Sequence, residues 1–149
     1  MRTRIGILCL LIGGLSACGD SHEQNALKDA RVQWRAAGPA AYEWVVQRTC
    51  FCPDIEPVRV QVRDAAVVSA ARQMDATTEV ALTVDAYQAW FTVDGLFDEV
   101  RRAIDEGADE LTVTYDPEYG YPRSVAIDRY ENAMDDETGF NARGLVSLP

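Results

Sequence analysis

The sequence predicts an α+β domain: a mainly antiparallel sheet of five to six strands, with an N-terminal helix and one central helix packed on it. Three observations carry this. Val58, Val60 and Val62 alternate with Arg59, Gln61 and Arg63, and Asp64-Ala65 turns the chain back into Ala66 to Ala71, a hairpin pattern. Val93, Leu96, Phe97, Val100 and Ile104 recur at helical spacing between Thr92, a capping residue, and Gly107. Leu111, Val113 and Tyr115 then alternate with Thr112 and Thr114 ahead of a second turn. Strands joined by tight turns run antiparallel, and a helix set between such runs covers one sheet face.

The elements follow in order. Ser21 or Asn25 can cap the first helix, in which Leu27, Ala30, Trp34 and Ala37 share one face until Gly38-Pro39 ends it. Tyr42 to Cys50 alternates, with Tyr42, Trp44 and Val46 on one side, and its aromatic and β-branched content favours a strand. Pro53 to Pro57 is a loop, because two prolines and two acids cannot continue a ladder. After the 58–71 hairpin, Gln73 to Glu79 reads as a polar loop, and Thr83 caps a short helix through Trp90. The Thr92–Gly107 helix comes next. Asp116-Pro117-Glu118-Tyr119-Gly120 has turn chemistry, with proline second and glycine last. Val125 and Ile127 alternate with Ser124, Ala126 and Asp128, Asn132 to Thr138 is an acidic loop, and Phe140 to Leu148 forms a last edge strand.

The first residues read as an address. Arg2 and Arg4 precede an apolar run from Ile5 to Leu15, and Leu15-Ser16-Ala17-Cys18 places small residues before a cysteine, the layout of a cleavable secretory signal. The run is too short to span a bilayer permanently, which takes ~20 residues. Leu-Ser-Ala-Cys resembles the lipobox of bacterial lipoproteins, and that resemblance implies cleavage before Cys18 and diacylation of Cys18. Cys9 would leave with the leader. The expected organisation is therefore a signal peptide over 1–17, a lipidated tether over 18–25 and one α+β domain over 26–149. The expected location is the cell envelope, lipid-anchored outside the cytoplasm. Asp20 stands one place beyond the position that directs sorting, so the membrane leaflet stays open.

The domain is of single-core size, and 48% hydrophobic content suffices to pack it. The net charge of −10 becomes more negative once Arg2 and Arg4 are removed, which argues against nucleic acid as a partner. No basic patch is evident along the chain to hold anionic lipid headgroups, so the acyl chains are expected to carry the anchoring.

Several short motifs then occur together: Tyr42-Glu43-Trp44, Cys50-Phe51-Cys52, Thr92-Val93 with Leu96-Phe97, Tyr115-Asp116-Pro117 with Gly120-Tyr121-Pro122, Ile127-Asp128 and Asp136-Glu137. With them the chain resembles small bacterial lipoproteins of the domain-of-unknown-function 6174 family, over roughly residues 27–147. The resemblance implies an envelope lipoprotein and brings no activity with it.

Candidate chemistry is sparse. Cys50 and Cys52 are the thiols left beyond Cys18 in an oxidising compartment. A structural bridge, a redox or partner-exchanging dithiol, and free thiols or metal ligands all remain open. A bridge between residues two apart demands a bend at Phe51, stabilises little, and is easily reduced if strained. Zinc would want four N or S ligands, and the one histidine, His22, falls in the tether, so triad chemistry lacks a positioned imidazole. Asp135, Asp136 and Glu137 are a weak Ca²⁺ candidate without EF-hand spacing, and no cofactor motif appears. Tyr115, Tyr119 and Tyr121 around the turn are a candidate binding surface, against the plainer reading of cross-strand packing. The leading expectation is a non-catalytic envelope binding or structural module. It would be held by its lipid anchor and face an envelope protein or cell-wall component. The alternative is a thiol–disulfide exchange protein using Cys50 and Cys52.

Overall fold

A computed structural model describes residues 22–53, 56–130, 132, 133 and 135–149. The leader, Cys18 and the tether as far as Ser21 lie outside the described residues. The element order is α1 (His22–Ala37), β1 (Ala41–Cys50), β2 (Val58–Arg63), β3 (Ala66–Gln73), β4 (Glu79–Ala81), α2 (Val93–Glu106), β5 (Glu110–Tyr115), β6 (Pro122–Asp128) and β7 (Thr138–Ser147). The strands form one antiparallel sheet in the order β4-β3-β2-β1-β7-β6-β5. Both helices lie on one face of it.

The expected α+β class holds, with seven strands rather than five to six. The added strand is β4, three residues at the far edge, beginning at Glu79, the last residue of the stretch read as loop. Its place is secured by Glu79, whose carboxylate accepts from Arg59 Nε at 2.8 Å and from Gln73 Nε2 at 3.1 Å. The short helix expected from Thr83 to Trp90 is instead two 3₁₀ turns, 84–86 and 89–91. Trp90 and Phe91 are both buried there, and the Phe91 carbonyl accepts from Trp44 Nε1 at 3.0 Å, which holds the backbone in tight turns. The last strand is not an edge. β7 pairs with β1 on one side and β6 on the other, because Phe140 and Ala142 carry its buried face into the middle of the core.

The secure elements owe their positions to local chemistry. Thr92 Oγ1 accepts the Gly95 N–H at 3.0 Å and opens α2, while Gly107 closes it at φ 69°, its N–H reaching the Ala103 and Ile104 carbonyls. The β2–β3 turn places Asp64 and Ala65 at φ 50° and 62°, the primed geometry that matches strand twist. α1 begins at His22, so residues 22–25, read as tether, are its first turn; Glu23 there sits favourably at the positive end of the helix dipole.

The core lies between helices and sheet. Trp44, Val46, Val60 and Val62 of the sheet and Leu96 and Phe97 of α2 are all fully buried in it. At the α1 end, Trp34, Tyr42, Trp44 and Tyr121 meet edge to face, with ring centroids 5.5 to 6.5 Å apart. Such pairs contribute about 0.5–1.5 kcal/mol each beyond area burial.

Candidate functional site

Among the described residues no helix covers the other sheet face. Register and alternation set Thr49, Gly139, Ala126 and Thr112 side by side across β1, β7, β6 and β5 on that face, since their strand neighbours Phe140, Val125 and Ile127 point into the core. Near the Cys50 end of β1 this row becomes a cleft of about 580 Å³, within the range of small-ligand sites. Its floor is low because Gly139 has no side chain, and a Cβ there would run into the Thr49 hydroxyl. Phe51, 83% exposed, stands on one rim.

The opposite rim is acidic. Glu110 and Asp128 are direct partners across β5 and β6, two like charges side by side, and neither forms an ion pair among the described residues. Such pairs destabilise a sheet. Asp135 and Glu137 line the end of the same cleft, and among the described residues no Lys or Arg lines it. The arrangement favours cationic groups over anionic ones.

The 135–137 segment does not converge as a Ca²⁺ site would require. Asp135 turns the chain at φ 70°, Asp136 accepts the Tyr130 N–H at 3.0 Å, and Glu137 faces the cleft. Among the described residues no three acidic, histidine or cysteine side chains form a group able to hold a metal.

β1 ends at Cys50, as the spacing requires, and the chain bends through 51–53. Cys50 and Cys52 are joined as a disulfide, with Cα atoms 5.2 Å apart, and Cys50 borders the cleft.

The tyrosine surface is corrected. Tyr121 is 5% exposed and belongs to the aromatic cluster. Tyr115 stacks on Phe97 at 6.3 Å, and burial pushes its phenol up to about 12. Tyr119 is partly buried against the core. The turn itself is tied down. Asp116 Oδ1 accepts the Glu118 and Tyr119 N–H groups at 3.0 and 2.8 Å, and Gln33 of α1 donates to the Pro117 and Glu118 carbonyls. The hairpin packs inward because α1 lies across it, and the alternation pattern alone could not reveal that.

His22 is exposed at the start of α1 rather than part of a tether. The open-face cleft escaped the sequence reading. Its one sequence signal was small residues, Ala126 and Gly139, at outward positions of adjacent strands.

Fold and site together define a small α+β domain, a helix-backed antiparallel sheet whose bare face carries an acid-rimmed cleft beside a disulfide-closed bend. The chain belongs to the family of unknown function DUF6174, whose pattern it matches over residues 26–147. No curated protein and no solved structure matches it.

Proposed function

We propose that this chain is a cell-envelope lipoprotein, acylated on Cys18 and anchored outside the cytoplasm, that acts as a non-catalytic binding module. Its ligand site is the open-face cleft, and the ligand is an envelope protein or cell-wall component presenting a cationic group. The observation that supports this is the cleft itself: an unroofed recess, with an exposed Phe51 on one rim and the adjacent carboxylates of Glu110 and Asp128 on the other. Aromatic rims beside carboxylates suit amines, which gain both charge pairing and a ring face.

The test is crosslinking in cells from a photoreactive residue at position 51, followed by mass spectrometry. Discrete adducts are expected, and Ala126→Arg, which fills the recess with a cation, should abolish them. Adducts unchanged in that variant would reject the cleft. Incorporation of labelled fatty acid, lost in Cys18→Ser, tests the anchor separately.

A second reading has one observation of its own, the position of the Cys50–Cys52 bridge on the cleft's border. There a partner thiolate would attack one bridge sulfur, form a mixed disulfide and release the other cysteine as a thiolate. The partner's second thiol would complete the exchange, leaving the partner oxidised and the pair reduced. Cys52→Ser should then trap mixed disulfides; a bridge that survives excess glutathione ends this reading.

A further inference from the structure

The chain is acidic overall, yet its cations are not spread evenly. Lys28, Arg31 and Arg35 stand three and four residues apart on α1, which puts them on one stripe. Arg101 of α2 faces the same groove, which Leu27 and Ile104 also line and whose one carboxylate among the described residues is Asp105. Asp98 takes up part of the charge, pairing with Arg31 at 2.6 Å and Arg101 at 3.3 Å. Lys28 and Arg35 are exposed and form no ion pair among the described residues. Val32, 58% exposed, stands among them. The groove lies on the outer side of the helical layer, opposite the face that bears the cleft. A scan for basic runs passes over it, because two helices are needed to assemble it.

We propose that the groove between α1 and α2 seats the phosphate headgroups of anionic lipids, laying the helical layer on the bilayer and pointing the cleft away from it. This rests on the anchored reading above. Cys18 precedes His22 by four residues, so the extended chain between them spans at most about 14 Å. Lys28 lies about 9 Å further along α1. Headgroups of the same membrane are therefore within reach of the stripe, at a local concentration no soluble acid would match. The cations need not supply the anchoring; they fix which face of the domain meets the lipid.

The test uses the chain from Cys18 onward carrying Cys18→Ser, which keeps every core residue and removes the acyl contribution. Sedimentation is measured with phosphatidylcholine vesicles and with vesicles containing phosphatidylglycerol. Preferential binding to the anionic vesicles is expected, weakened roughly tenfold or more by Lys28→Glu with Arg35→Glu. Both sites are exposed, so the fold should persist, with the unfolding midpoint lowered only slightly by a glutamate in the last turn of α1. The same charge change at Arg123 and Arg143, on β6 and β7, should leave binding intact. Equal sedimentation with both vesicle types, or binding unchanged in the Lys28/Arg35 variant, overturns the proposal. So does displacement by inorganic phosphate at constant ionic strength, which would mark a free-anion site. Fatty-acid labelling of the full-length chain in cells reports on the anchor independently.

Discussion

The Tyr42 hydroxyl accepts the Val93 backbone N–H at 2.9 Å, joining β1 to the first residue of α2 across 51 positions of chain. Both groups are buried. Phenylalanine at position 42 keeps the ring contacts with Trp34 and Trp44 but strands that N–H. We expect Tyr42→Phe to lower stability by about 1–3 kcal/mol, read from denaturant unfolding. An unchanged midpoint would mean that the N–H finds another acceptor.

The β2–β3 turn holds a Cβ where glycine is preferred. Ala65 sits at φ 62°, a left-handed conformation that costs an L residue about 1–2 kcal/mol. Ala65→Gly should stabilise the protein by about 1 kcal/mol once glycine's greater unfolded-state freedom is subtracted. A fall in the unfolding temperature would contradict this reading of the turn.

Glu110 and Asp128 repel across the β5–β6 ladder. Removing one charge with Glu110→Gln should raise stability by a few tenths of a kcal/mol at low salt, and the gain should shrink as ionic strength rises. The same variant should weaken capture of cationic ligands at the cleft. Stability and binding thus move in opposite directions, which a merely structural carboxylate would not produce.

Tyr115 gives an alkaline signature. Desolvation raises its phenol to about 12, above the usual value near 10. The neutral form is favoured in the fold, so this contribution is complete below pH ~10 and is lost as pH rises from ~10 to ~12. Ultraviolet titration of tyrosinate should show a late step that Tyr115→Phe removes. A phenol titrating near 10 would place the side chain in solvent.

Much of the fold is legible along the chain, because its signals are local. Thr92 and Gly107 mark the ends of α2 by capping chemistry, and Val58-Val60-Val62 declares a half-buried strand by alternation alone. What was misread depends on distant partners. β4 is too short to show a period and is held by Arg59, a residue two strands away in the sheet. Position in sequence suggested an edge for β7, while its pairing with β1 on one side and β6 on the other determines its place. Tyrosines gathered around a turn suit either an interface or packing within the sheet, since the side chain is amphipathic; α1 folding across that turn makes Tyr121 core. The cleft was invisible because two small residues matter only once their strands are neighbours.

The central position of β7 has a consequence for how the molecule comes into being. Without Thr138–Ser147, the sheet is two separate pieces, β4-β3-β2-β1 and β6-β5, with no ladder between them. The seam closes only once Thr138–Ser147 is present to pair with both sides. Cleavage that removes Thr138–Ser147 would therefore leave the two pieces of sheet without the strand that joins them.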